Sequence, residues 1–476
     1  MKLINYLLLR HWRKEVSIYM KITFTEDQKN TLKAVHHFLK NKEKKLIITG
    51  YAGTGKTTLT QYISKLAKEA GRKTFLCAPT NKAVEVFREK ASKYGICSTL
   101  HKLIYNVDKR GRMHLRKSCS HPHSLIICDE SSMLDDKLVD DLMSYARRFS
   151  HKVVFMGDTF QLPPIQRTRY PILEDAGASN MSQVCRQGAD SSILLYATAL
   201  RGMKKTSPVM PDSSSGDVIL DTKDNVWKSY IESLKKGEDS TYIVWRNDTR
   251  SRANLVARAN LGYKGSVKSG EILMVIANDN TFNNGEIIKL DKFTVLGTVD
   301  LFYRPRSFKS FGKRDGENNT LNTCKTELII TEKNKTPILF VPNYKEPSLY
   351  HSQVDVISLD KAIRSIMSDN DWSSYLSDKD NPRDMFVKSD KRRLSLSKDV
   401  IIATYGYAIT AHKAQGSQWE NVFIGEVCKL RDNVESARWI YTAATRASSK
   451  LYISKGTISN TLTWDKMKDI ANNYMQ

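Results

Sequence analysis

Leu46-Ile-Ile-Thr-Gly50-Tyr-Ala-Gly53-Thr-Gly55-Lys56-Thr57 is a short apolar strand that runs through Gly-x-x-x-x-Gly-Lys-Thr straight into a helix. The spacing is that of a phosphate cradle. Glycines let backbone N–H groups turn inward around β- and γ-phosphates, Lys56 supplies a point charge, and the Thr57 hydroxyl is placed to ligate Mg²⁺. After Lys56, apolar residues fall at Leu59, Tyr62, Ile63, Leu66, Ala67 and Ala70, a helical stripe that stops at Gly71. Gly50, Ala52, Gly53, Thr54, Gly55, Lys56, Thr57 and Thr58 are therefore expected to bind a nucleoside triphosphate.

Working outward, Lys45–Thr49, Thr74–Ala78, Leu125–Cys128 and Val153–Met156 are short apolar runs that each end in a polar or glycine-bearing loop. Continuous apolar runs of this length suit a parallel sheet covered on both faces by crossover helices, with ligands at the carboxyl ends of the strands. A second alternating block begins near Gln183 and holds Tyr242–Trp245, Val400–Ala403, Asn421–Ile424 and Lys450–Ile453. Between its halves, residues 265–399 break into short strand-like pieces: Ile272–Ile276, Ile287–Leu290, Glu327–Ile330 and Ile338–Val341. Gly, Asn, Asp and Lys turns separate them, and helices are expected near Leu359–Met367 and Trp372–Leu376. The expected organisation is an extension over 1–19, an α/β domain over 20–178 with a hairpin insertion at 104–121, and a second α/β domain over 179–264 and 400–476 interrupted by the β-rich segment 265–399.

The 476-residue chain carries 75 Lys and Arg against 51 Asp and Glu, a net charge of +24. Such an excess attracts polyanions, with nucleic acid first among them. No apolar run approaches the length of a membrane span, so no membrane role is expected. The seven cysteines include no Cys-x-x-Cys pair, which suits a reducing cytoplasm. Cys119-x-His121-x-His123 and Cys128 match no common zinc module, and Cys128 is expected to be a buried strand thiol.

Ile126-Ile-Cys-Asp129-Glu130 ends one apolar strand in two carboxylates. In a phosphate-loop enzyme the first holds Mg²⁺, usually through water, and the second polarises the attacking water. Phe155-Met-Gly157-Asp158-Thr-Phe-Gln161-Leu-Pro163-Pro164 ends the next strand, where Gln161 is expected to sense the γ-phosphate or order the water.

The series continues with Cys185-Arg186-Gln187, Thr410-Ala-His412-Lys413-Ala-Gln415-Gly416-Ser417 and Tyr441-Thr442-Ala-Ala-Thr445-Arg446-Ala. Taken together, these motifs resemble those of superfamily 1 helicases of the RecD/Dda branch, in the family's order from about 28 to 450. Phe282–Gly285, Phe-Asn-Asn-Gly, matches a piece found in phage members of that branch.

The resemblance implies an α/β fold of two RecA-like P-loop domains with parallel sheets. It also implies a small β-hairpin insertion in the first and a β-rich, SH3-like insertion in the second. It places Gln28, within Phe24-Thr-Glu-Asp-Gln28, at the adenine edge, and Arg186 and Arg446 at the γ-phosphate from the second domain, with Gly416 close to the same cleft. It places Pro79, Thr80, Asn81, Thr99, His101, Pro163, Thr410, His412 and Lys413 along a DNA track. Hydroxyls, amides and backbone N–H groups bind phosphates there without reading bases.

Relatives carry a strand-separating pin where this chain has Tyr105–Lys117, a basic segment turning at Arg110-Gly111. Arg112, Met113 and Leu115 are its candidate working residues, and Met113 or Leu115 the only plain apolar tips. Trp245 is either a stacking platform or ordinary core.

The implied activity is that of an ATP- and Mg²⁺-dependent DNA helicase. Such an enzyme translocates 5′ to 3′ on single-stranded DNA and unwinds duplex or forked DNA in replication, recombination or repair. The implied protein is a cytoplasmic monomer with single-strand-binding or replication proteins as partners. The alternative is a nucleic-acid-stimulated ATPase that displaces proteins without unwinding.

Overall fold

The computed structural model describes residues 24–107, 113–164, 172, 179–183, 191–202, 210–211, 216–275, 285–303, 322–331, 337–340, 353–354, 401–426, 433–455 and 461–462. The first lobe is a six-stranded sheet ordered Ile96–Thr99, Thr74–Ala78, Leu125–Cys128, Lys152–Gly157, Lys45–Gly50, Ser179–Met181. Every pairing in it is parallel.

Alternation along the central strands explains why both faces are apolar. Ile47, Ile126, Val153 and Phe155 enter one core with Leu103, Leu142 and Tyr145. Ile48, Ile127, Val154 and Met156 enter the other with Leu32, Phe38, Leu59 and Ile63. Each fully buried Leu, Ile or Phe contributes roughly 1.5–3 kcal/mol, so this double core fixes the strand order that aligns the loops.

The second lobe is a five-stranded, all-parallel sheet ordered Val218–Asp221, Ala447–Ser454, Trp419–Ile424, Ser240–Val244, Ala408–Thr410. The α/β class with two parallel sheets is thus the one expected.

Two expectations need correction. The strand expected at Val400–Ala403 runs Ile401–Tyr405 and does not join the second parallel sheet. It pairs antiparallel with Leu273–Val275 and parallel with Ile338–Phe340, inside a seven-stranded sheet made otherwise of the interrupting segment. Ser179–Met181, which the expected boundary at 179 assigns to the second α/β domain, is the edge strand of the first sheet beside Lys45–Gly50.

Within the interrupting segment, Ile272–Val275, Ile287–Lys289, Asn322–Thr331 and Pro337–Phe340 are strands. The helices expected near Leu359–Met367 and Trp372–Leu376 lie outside the described residues. Glu271, at the segment's start, pairs with Arg258 and accepts the Tyr407 hydroxyl at 3.2 Å, so one buried carboxylate ties its entry to its exit. Among the described residues no helix is long and apolar enough to cross a membrane.

His151 lies fully buried in the first lobe, stacked on Tyr145 with ring centroids 5.5 Å apart. Ser124 N–H donates to its Nδ1 at 3.1 Å, which leaves the proton of the neutral ring on Nε2, 3.6 Å from Cys119 Sγ. Burial, with lesser pressure from His123 and Arg72, pushes His151 down to about 4 from its ordinary 6.5. The unfolded chain binds a proton near pH 6.5 that the folded chain refuses, so this contribution is complete above 6.5 and lost as pH falls toward 4. From 6.5 to about 4, at about 1.4 kcal/mol per pKa unit, the loss amounts to roughly 3 kcal/mol. Melting temperature against pH, for wild type and His151→Gln, is expected to converge from pH 7 to pH 4; parallel curves would contradict the assignment.

Candidate active site and nucleic-acid track

The carboxyl ends of the first sheet bring the phosphate loop, Asp129, Glu130 and Gln161 together. Gly53 and Gly55 take φ of 80° and 79°, a left-handed conformation that side chains resist, and Gly55 caps the helix Lys56–Glu69. Gly50 admits no Cβ, because one would lie 2.9 Å from the Met181 backbone oxygen. Lys56 Nζ donates to the Gly50 and Tyr51 carbonyls at 2.8 and 2.7 Å, held over the loop where phosphates would draw it. Thr54 is buried, and Thr58 is exposed at the start of the helix.

Thr57 Oγ1 donates to Asp129 Oδ2 at 2.8 Å, and Asp129 Oδ1 accepts the Glu130 N–H at 2.9 Å. This all-oxygen pair fits Mg²⁺, a hard cation that keeps several of its waters. Glu130 itself has φ 53°, a strained value for a non-glycine residue that turns it out of the strand. Burial and the neighbouring Asp129 charge raise its pKa, while Arg446 and Lys56 pull the other way. A carboxylate with a raised pKa is a better acceptor for a water proton.

Gln161 is buried, and its N–H reaches the Asp158 carbonyl at 3.3 Å. Leu162 N–H donates to Thr442 Oγ1 at 2.9 Å, and Gln415 Nε2 donates to the Leu162 carbonyl at 2.9 Å, so the second lobe grips this loop by its backbone. Arg446 is held by the Thr442 carbonyl, the Ser417 carbonyl and Thr445 Oγ1 at 3.1–3.2 Å, close enough to Glu130 to act on its charge.

Gln28 is spent twice: Oε1 accepts Thr25 N–H in a capping box, and Nε2 donates to the Thr54 carbonyl at 3.1 Å, at the back of the phosphate loop. Asp27, its neighbour, accepts the Ser182 and Gln183 N–H groups at 2.7 and 3.0 Å. Arg186 lies outside the described residues.

Along the expected track, Thr80 follows one strand and Thr99 ends another, and both cap helices, accepting Ala83 N–H and Lys102 N–H at 3.3 Å. Pro79 is half-buried beside Thr80, and Pro163 is buried beside Leu162. Asn81 opens the helix Asn81–Ala91, and its side chain is outside the described set. Gly416 has φ 74°, and a Cβ there would stand 3.2 Å from Thr80 Oγ1.

Thr410, buried, starts the short helix Ala411–Ala414 that carries His412 and Lys413. Burial lowers the pKa of His101 and of His412. Burial, with the Arg250 guanidinium, pushes the Lys413 ammonium down to about 7, a cost that an incoming phosphate would offset. Trp245 is half-buried with the Arg246 guanidinium 5.4 Å over its ring.

In the hairpin, Tyr105–Val107 pairs antiparallel with Met113–Leu115. Leu115 packs on the lobe's core, whereas Met113 is 57% exposed. Arg112 and the turn lie outside the described residues.

Sequence reasoning passed over Asp158, Arg201 and Tyr441 as functional residues. Asp158 and Tyr441 stood only as letters in longer motifs, and Arg201 closes an apolar helix, Ser192–Gly202, with no motif around it. The structure joins them. Asp158 pairs with Arg201 and accepts the Tyr441 hydroxyl, whose oxygen takes the Ala52 N–H at 3.0 Å.

Residues 23–214 match the family model described as an AAA domain, and residues 405–454 match the one described as a UvrD-like helicase C-terminal domain. These two matches support the resemblance to superfamily 1 helicases of the RecD/Dda type. It is similar to the ATP-dependent DNA helicase dda of Enterobacteria phage T4, 25% identical over 89% of this chain and 97% of that protein. It is also similar to the ATP-dependent RecD2 DNA helicase of Deinococcus radiodurans, 36% identical over 33% of this chain but only 21% of that longer protein. Among solved structures, the Pif1 helicase from Candida albicans aligns with a TM-score of 0.45 and 16% identity, over 95% of this chain and 99% of that one.

Proposed function

We propose that the chain is an ATP-dependent DNA helicase that moves 5′ to 3′ on single-stranded DNA and opens duplex DNA ahead of it. The observation that carries this is the two-sided cleft. Lys56, Thr57, Asp129, Glu130 and Gln161 come from the first lobe, while Arg446, Thr442 and Tyr441 reach the same loops from the second.

Thr57 and Asp129 would hold Mg²⁺, which neutralises charge on the β- and γ-phosphates. Lys56 neutralises phosphate from the loop side. Glu130 takes the water proton, Gln161 orders that water, and Arg446, with Arg186, offsets charge from the facing lobe. Because part of the charge arrives from the second lobe, hydrolysis is tied to closure. Closure also moves Gly416 against Thr80, and so Thr410, His412 and Lys413 against Pro79, Asn81, Thr99 and His101, altering the grip on the strand. A DNA stacking step averages about 1.4 kcal/mol, well within what ATP hydrolysis supplies.

Met113, exposed beside the basic turn, is the residue set to meet the last base pair. We assign the protein to the cytoplasm, as a monomer working with single-strand-binding or replication proteins in replication, recombination or repair. Unwinding of otherwise identical DNA duplexes with 5′ or 3′ tails, and of RNA counterparts, tests the proposal. Opening of the 5′-tailed DNA alone is expected. Displacement of bound protein with the duplex left intact would instead favour a translocase.

A further inference from the structure

Ala52 sits in the middle of the phosphate loop, yet its N–H donates across the cleft to the Tyr441 hydroxyl at 3.0 Å. That hydroxyl donates in turn to Asp158 Oδ2 and accepts a longer bond from Arg201 at 3.4 Å. A phenol has one proton and two lone pairs, so these three contacts fill it.

Asp158 is fully buried at the foot of the Gln161 loop, paired with Arg201, and accepts the Phe160 N–H at 2.9 Å. The Arg201 guanidinium lies 3.9 Å over the ring of Tyr51, the residue before Ala52. The contacts therefore close a ring: from the phosphate loop to Tyr441, to Asp158, to Arg201, and back to the phosphate loop. The residue after Tyr441 is Thr442, whose hydroxyl holds Leu162 and whose carbonyl holds Arg446.

A buried pair such as Asp158–Arg201 is costly unless further hydrogen bonds support it, and here the Tyr441 hydroxyl adds one to the Asp158 carboxylate. Packing alone would have been served by an apolar contact.

We infer that Tyr441, Asp158 and Arg201 form a latch of positioning residues that transmits the state of the phosphate loop at Ala52 to the second lobe. The latch rests on the motor function proposed above and adds to it the route by which nucleotide and DNA sense each other. None of the three needs to touch ATP. The loop's backbone moves the hydroxyl, and the helix Asn433–Ala444 carries that movement to Thr442 and Arg446.

The test is the ratio of single-stranded DNA dissociation constants measured with and without a non-hydrolysable ATP analogue at fixed salt. That ratio is a coupling between two sites and does not register simple loss of fold. Wild type is expected to show a ratio of about five or more, in either direction. Tyr441→Phe keeps the ring edge-on to Phe160 and loses only the hydroxyl. Its ratio is expected to fall to about one with nucleotide-free DNA affinity close to wild type, while the melting temperature drops because Asp158 and the Ala52 N–H lose a partner. Arg201→Lys keeps a positive charge opposite Asp158 but loses the planar fork, and is expected to give an intermediate ratio.

A wild-type ratio in Tyr441→Phe overturns the latch, and a wild-type ratio in Arg201→Lys does so should Tyr441→Phe fail to fold. A ratio of one in the wild type overturns the motor proposal itself, and is recognised before any variant is made.

Discussion

Replacing Glu130 with Gln is expected to lower DNA-stimulated ATP turnover by about 10²–10⁴-fold while ATP binding survives. The amide is isosteric, so the left-handed turn at Glu130 and the N–H bond to Asp129 Oδ1 at 2.9 Å are kept. What goes is the proton acceptor. Burial and the Asp129 charge raise the pKa of this carboxyl, so the acid limb of the wild-type rate profile is expected above the ordinary carboxylate range. The sign follows: activity requires the ionised form, is complete at higher pH, and is lost as pH falls through the raised value. Steady-state turnover against pH, with fluorescent-nucleotide binding alongside, checks both parts. Unchanged turnover in Glu130→Gln would remove Glu130 from the role of base.

The second large effect is expected at Arg446. Arg446→Ala should reduce turnover by about 10³-fold or more, since a guanidinium that offsets transition-state charge is worth that much in related chemistry. Arg446→Lys should restore little of it. An ammonium cannot make the three bonds that Arg446 makes to the Thr442 and Ser417 carbonyls and Thr445 Oγ1, so the charge would not be held in place. Single-turnover hydrolysis separates this from a binding defect: the rate at saturating ATP should fall, with ATP affinity changed much less. Loss confined to affinity would place Arg446 outside the chemistry.

How much of this was legible beforehand differs by element, and for physical reasons. The strands at Thr74–Ala78 and Leu125–Cys128 could be read because a strand buried on both faces is a continuous apolar run, and those runs carry their own boundaries. The phosphate loop could be read because its glycines answer to a local backbone requirement, visible in the positive φ of Gly53 and Gly55.

Ser179–Met181 could not, since Ser-Asn-Met has no apolar run and is a strand only because it lies beside Lys45–Gly50. Ile401–Tyr405 was visible as a strand but was assigned to the second parallel sheet, which it does not join. Its partners near 274 and 339 are chosen by tertiary packing, which an apolar run does not specify.

The site divides along the same line. Thr57, Asp129 and Glu130 follow from short motifs at strand ends. The Asp158–Tyr441 bond spans 283 positions, and nothing local marks Arg201 as its third member. Met113 and Leu115, equal candidates in the sequence, are separated only by which one the core covers.

The claim on which the rest depends is that one cleft, charged from both lobes, couples a nucleotide to a threaded strand. ATP turnover by the purified protein, with and without a single-stranded oligonucleotide at constant salt, measures that coupling directly. A rate that rises severalfold with DNA is expected; the same rate in its presence and absence would contradict the account.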